Sequence, residues 1–156
     1  MPEDPEARIR ELGHELPAVP EPAGAYVPAT RTGTLIFTAG QLPFEKGKLP
    51  TTGKVGEAVT LEEAKEAARL CALNALAAAA AEAGRLNRIG RIVRLTGYVA
   101  SAPDFNRQPE VINGASELIG QVFGDAGLHA RSAVGVAELP LDAPVEVELV
   151  AELGDS

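Results

Sequence analysis

The sequence predicts an α+β domain, a mixed sheet of five strands with two helices packed on one face, in the order β-β-α-β-α-β-β. Three observations carry this. Residues 60–83 are rich in alanine and leucine, open on the capping box Thr60/Glu63 and stop at Gly84, which reads as a long helix. Residues 89–100 hold Ile92, Val93, Leu95, Tyr98 and Val99, residue types that fit a pleated, half-buried strand. Near the end, Val145, Val147 and Leu149 alternate with Glu146 and Glu148, so one face of that strand is apolar and the other acidic. Helices gathered on one face leave the other face of the sheet uncovered, and a partner subunit is expected there.

The remaining elements follow in chain order. Residues 1–13 predict a short helix with Asp4 as N-cap, Pro5 at the first helical position and Gly13 as the stop. Residues 17–24 are proline-rich and read as an extended linker, setting residues 1–23 apart from a single domain of residues 24–156. Strands are expected at 25–30 and 34–39, joined by a hairpin turn at Arg31-Thr32-Gly33. Gly47, Pro50 and Gly53 make residues 41–56 a loop. After a turn at 101–104, a helix is expected over 105–123, loosened around Pro109 and ended by Gly124. The last strands, 131–138 and 145–152, read as a hairpin in which Glu138 pairs with Val145 and Ala137 faces Glu146. On that register Arg131 lies roughly 20 Å from Glu146. The two charges would not meet within one chain.

Composition narrows the function. The chain has 156 residues, enough for one domain with a sizeable core, and a formal net charge of −8. An acidic chain lacks the lysine and arginine density that displaces counterions from a phosphate backbone, so nucleic acid is not the expected partner. Arg85, Arg88, Arg91 and Arg94 are closely spaced, but their spacing of three suits a solvated face. The single cysteine, Cys71, lies in the alanine-rich helix and reads as a small core residue. His14 and His129 show no ligand spacing with acidic residues, so a structural or surface role is expected for them rather than a metal site. No Gly-x-Ser-x-Gly elbow or Walker-type loop is present. The N-terminus is acidic and proline-rich rather than basic then apolar, and the longest apolar run, 75–81, is too short to span a bilayer. A cytoplasmic protein without a membrane partner is therefore expected.

Two charges stand out. The arginine fork of Arg131 can grip a carboxylate through two parallel hydrogen bonds, although an arginine at a strand start also serves as a surface ion-pair partner. Glu146 is similarly open to two readings, as a proton carrier or as one of the glutamates of a solvated strand face. A site using both must be completed by a second subunit.

Further motifs bear on that choice: Ala25-Tyr26-Val27, Thr38-Ala39-Gly40-Gln41-Leu42-Pro43, Val111-Ile112-Asn113, Ala130-Arg131-Ser132, and Leu139-Pro140 followed by Val145-Glu146-Val147-Glu148. In combination they resemble the Rid family of reactive-intermediate (imine) deaminases, also called the YjgF family and often labelled L-PSP endoribonucleases. The resemblance covers residues 24–153, and the N-terminal segment and the 112–116 stretch are similar to a longer branch of it. It implies a fold like trimeric chorismate mutase, with sites in clefts between three subunits. It also implies that Arg131 binds a substrate carboxylate, that Glu146 positions water and shuttles a proton, that Tyr26 lines the cleft, and that Asn113 and Gly40 add a polar and a backbone contact. The implied reaction is hydrolysis of a 2-aminoacrylate-type enamine or imine to a 2-keto acid and ammonia, with no cofactor. Two positions depart from the family pattern: Ala39 stands where many members have serine, and Ala133 where many have cysteine. The missing hydroxyl at Ala39 favours, as alternatives, a catalytically silent module that binds small carboxylates, or a changed substrate. The family label also brings in RNA cleavage, against which the acidic charge and the lack of a His/Lys cluster argue.

Overall fold

The computed structural model describes residues 4–155. Its elements are α1 (Pro5–Glu11), β1 (Ala29–Thr32), β2 (Leu35–Thr38), α2 (Leu61–Ala83), β3 (Ile89–Ala100), α3 (Gln108–Phe123), β4 (Ala130–Val136) and β5 (Val145–Leu153). The strands form one mixed sheet in the order β1-β2-β5-β3-β4. Only β3 and β4 run parallel, as a strand–helix–strand crossover through α3 requires. The α+β class and the long helices stand as the sequence predicts.

Local chemistry explains most element ends. Asp4 caps α1 by accepting from Ala7 N–H at 3.1 Å, and Pro5 follows at the first helical position. Of the segment expected from residue 1, residues 1–3 lie outside the described part. Thr60 and Glu63 close the reciprocal capping box at 3.0 and 3.1 Å, and Gly84 ends α2 at φ 101°. The first hairpin is shifted from its expected place. Thr32 pairs with Leu35 and the turn falls on Gly33 and Thr34, where Gly33 supplies a positive φ of 58°. Residues 25–28 are not strand, which takes Tyr26 off the sheet. Pro109 sits in the first turn of α3, where its missing N–H costs nothing, so it does not loosen that helix.

The core lies between the sheet and the layer of α2 and α3. Ile92, Leu95 and Val99 of β3 and Val145, Val147, Leu149 and Ala151 of β5 all point into it. α2 is buried along most of its length rather than on one stripe, because Leu12, Leu16 and Val19 of the N-terminal segment pack against the core cluster it belongs to. Ile9 of α1 is fully buried in that cluster. Where α2 and α3 touch, a Cβ at Gly114 would lie 2.9 Å from the Lys65 carbonyl carbon, so only glycine permits this approach.

The expected pairing of the last two strands is not formed. β3 lies between them, parallel to β4 and antiparallel to β5. Burial is the reason. The apolar row of β5 is covered fully only from a central position, whereas half-exposed β4 tolerates the sheet edge.

Candidate functional site

The sheet sorts the expected site residues by face. On β3, Leu95, Gly97 and Val99 point to the helices, and Thr96 and Tyr98 to the open face. Arg131 shares the row of Leu95, so its side chain rises on the helix side of the edge strand. Glu146 is opposite Tyr98 and points to the open face. Three rows and two inter-strand spacings separate them, about 14 Å between backbones. They do not meet within the chain, as expected, but the cause is the interposed β3 and the opposite faces rather than a hairpin.

Arg131 is tied to α3. Its Nη1 donates to Asn113 Oδ1 at 2.8 Å and to Ser116 Oγ at 3.2 Å, and its Nη2 donates to the Pro109 carbonyl at 3.2 Å. Among the described residues no carboxylate lies within ion-pair reach of it. A guanidinium has five N–H donors, so two remain for another acceptor. The structure thus brings Arg131 and Asn113 together. Pro109, Asn113 and Ser116 recur three and four residues apart and form one stripe of the helix.

Glu146 and Gly40 form a second group. Gln41 and Val147 exchange backbone hydrogen bonds of 2.8 and 3.0 Å, which lays the chain after β2 along β5. Fully buried Asn74 of α2 pins the next turn by donating to the carbonyls of Leu42 and Phe44 at 2.9 and 3.0 Å. A Cβ at Gly40 would lie 2.8 Å from Glu146 Cδ, so the carboxyl rests against bare backbone. Burial first, and then the negative charge of Glu148, hold the Glu146 carboxyl above the usual carboxylate range. Tyr98 donates to Glu148 Oε1 at 2.7 Å, and this bond, with burial, pushes its phenol up to about 12. A carboxyl whose proton affinity is raised is suited to general acid–base work.

Tyr26 joins neither group. It is 51% exposed, and its hydroxyl accepts from Ala23 N–H at 3.2 Å. It precedes β1, at the opposite sheet edge from Arg131, about 19 Å across the sheet.

Sequence reasoning missed Ser116 and His129. Ser116 Oγ lies 2.9 Å from His129 Nε2, and His129 Nδ1 lies 2.6 Å from the Gly127 carbonyl. The signal was present. Ser116 follows Asn113 by three on a helix, and His129 precedes Arg131 by two on an extended segment, so each pair shares a face. Cys71 is buried, its Sγ 3.5 Å from the Val145 carbonyl, and burial raises its thiol well above the ordinary value, as befits a core residue. Among the described residues no group of three or more His, Cys, Asp or Glu could hold a metal ion, and no helix is long and apolar enough to cross a membrane.

A five-stranded mixed sheet, helices on one face, a tethered arginine at its edge and a half-buried glutamate on the open face define a chorismate-mutase-like α+β protein. The comparisons with known proteins make the class specific. Residues 6–153 match the family described as "YjgF/chorismate mutase-like, putative endoribonuclease", and the chain belongs to this YjgF/Rid family. Protein TCP17 of Trypanosoma cruzi is 43% identical over 150 residues, covering 96% of this chain and 94% of that protein. The crystal structure of Atu1372 from Agrobacterium tumefaciens superposes with a TM-score of 0.89 at 48% identity, covering 96% of this chain and 92% of that one. A more distant structure, Escherichia coli TdcF with bound serine, superposes with a TM-score of 0.62 at 27% identity, covering 87% and 94% of the two chains.

Proposed function

We propose that the protein hydrolyses small 2-imino or 2-enamino acids to 2-keto acids and ammonia, in sites completed between subunits of a homotrimer. The observation that carries this is the half-buried Glu146 carboxyl, set against Gly40 with its proton affinity raised. Arg131 binds the substrate carboxylate through its two remaining N–H groups, with Asn113 holding the fork. Protonated Glu146 delivers a proton to the terminal carbon of the enamine, giving the iminium (the protonated imine). As carboxylate it then accepts a proton from the water that adds to the imine carbon, and the tetrahedral adduct collapses to keto acid and ammonia. General acid–base help of this kind is worth about 10²–10⁴-fold. No step requires a cofactor.

Separation of the site residues supports the subunit assembly. Arg131 with Asn113, Glu146 with Gly40, and Tyr26 occupy three places that one chain does not join. The open face of the sheet also carries Phe37 and Val134, 41% and 44% exposed. Packing that face against two further copies covers these side chains and brings the Arg131 edge of one subunit toward Glu146 and Tyr26 of the next.

The test is direct. 2-Aminoacrylate is generated in situ by a pyridoxal-phosphate-dependent dehydratase, and pyruvate and ammonia release is followed. The protein is expected to accelerate release, and Arg131→Ala and Glu146→Gln are expected to abolish the acceleration. Wild-type protein with no effect on the rate would overturn the reading. Ala39, which offers no hydroxyl beside Gly40, favours a second reading: a module that binds small carboxylates without turning them over. Calorimetric binding of a keto acid, lost in Arg131→Ala and unaccompanied by turnover, would establish it.

A further inference from the structure

We propose that Ser116 and His129 are positioning residues for Arg131, setting which edge of its guanidinium is left to grip a substrate carboxylate. The proposal rests on reading Arg131 as the carboxylate-binding group.

The hydrogen-bond directions follow from elementary valence. A carbonyl only accepts, so His129 Nδ1, 2.6 Å from the Gly127 carbonyl, carries the ring hydrogen. In the neutral ring Nε2 is then an acceptor, and the group 2.9 Å away is Ser116 Oγ. The one hydroxyl hydrogen of Ser116 goes to Nε2, which leaves the oxygen's lone pairs for Arg131 Nη1 at 3.2 Å. Asn113 takes the second Nη1 hydrogen and the Pro109 carbonyl takes one from Nη2. What remains is one N–H on Nε and one on Nη2, the pair of nitrogens that meets a carboxylate side-on.

His129 is needed because a serine inside a helix otherwise tends to return its hydroxyl hydrogen to the carbonyl four residues back, leaving its rotor poorly defined. With the hydrogen drawn to Nε2, the oxygen is turned to the arginine. The ring is fixed in turn, because Gly127 packs against α3 so closely that a Cβ there would lie 2.7 Å from the Ile119 carbonyl oxygen. The chain Gly127–His129–Ser116–Arg131 is therefore continuous, and with the ring neutral each link has one direction.

The full chain is used for the test, with pyruvate as the calorimetric probe and unfolding midpoints checked for every variant. Ser116→Ala and His129→Ala are each expected to weaken pyruvate binding about five- to tenfold, the effect of one lost hydrogen bond of ordinary net strength. The double variant binds no more weakly than Ser116→Ala alone, because His129 acts through Ser116. His129→Gln, whose amide oxygen can take the serine hydrogen, restores most of the affinity. In turnover KM rises while kcat is preserved. Single variants that bind as wild type, while Arg131→Ala loses binding, would overturn the positioning role and leave the carboxylate reading intact. Additive losses in the double variant would also overturn it. Arg131→Ala binding pyruvate as well as wild type would instead remove the reading beneath the proposal.

Discussion

The sheet carries two charged centres in opposite surroundings. Arg131 has acceptors on three sides, all from α3, and its geometry is fixed before any ligand arrives. Glu146 has burial on one side and a second carboxylate, Glu148, on the other, and both favour the protonated form. On the proposed reading, the first centre holds an anion in a set orientation. The second binds its proton more tightly than an ordinary glutamate does. The contrast separates binding from chemistry: hydrogen bonds organise a site for recognition, whereas withheld solvation adjusts a site for proton transfer.

That separation can be broken experimentally. The largest expected effect is from Glu146→Gln, which removes the proton carrier and keeps its shape. Its kcat should fall about 10²–10⁴-fold while calorimetric affinity for pyruvate stays near wild type; a matching loss of affinity would show that the centres are not independent. Arg131→Ala should instead act on binding first, weakening pyruvate affinity at least about 150-fold, as two charge-assisted hydrogen bonds warrant, and turnover is lost with it. Gly40→Ala should lower kcat by about tenfold, since an added Cβ meets the Glu146 carboxyl and misplaces it. Gly40 does not need a positive φ, so the unfolding midpoint should hardly move. An unchanged rate in this variant would separate Gly40 from the chemistry.

The smallest effect concerns stability. The folded-state pKa of Glu146 is raised above its unfolded value. Stability from this group is therefore fully present below the unfolded pKa, about 4.3, and is lost as pH rises through the folded value. Glu146→Gln has no such loss. Its thermal midpoint should gain on wild type between pH 4 and pH 7 and show no relative gain below pH 4. A gain that is the same at both ends would mean that the carboxyl titrates normally.

Much of the fold can be read from short stretches. The capping box at Thr60, the alternation of Val145 to Leu149 and the β-formers of residues 89–100 each depend on neighbours within a few positions, and each appears where the sequence predicts. The first strand is misplaced because the proline- and glycine-bounded Tyr26-Val27 pair imitates one, while the true turn at Gly33 sets the register two residues later. The helix stripe Pro109, Asn113, Ser116 was also legible from spacing alone. Its use was not, since a serine and an asparagine on a helix say nothing of the arginine that will reach them.

The sequence by itself determined the class of fold, the charge that argues against nucleic acid, and the residues around which a site could form. Those properties are local or additive, fixed by composition and by periods of two and 3.6. Only the tertiary structure decided that β3 lies between the last two strands, that Arg131 and Glu146 leave the sheet on opposite faces, and that His129 reaches Arg131 through Ser116. Strand order is settled by burial across the whole sheet, where β5, with its one fully buried apolar row, takes the centre and half-exposed β4 the edge. A periodic pattern shows which residues share a face, but it does not show which strand will lie beside them.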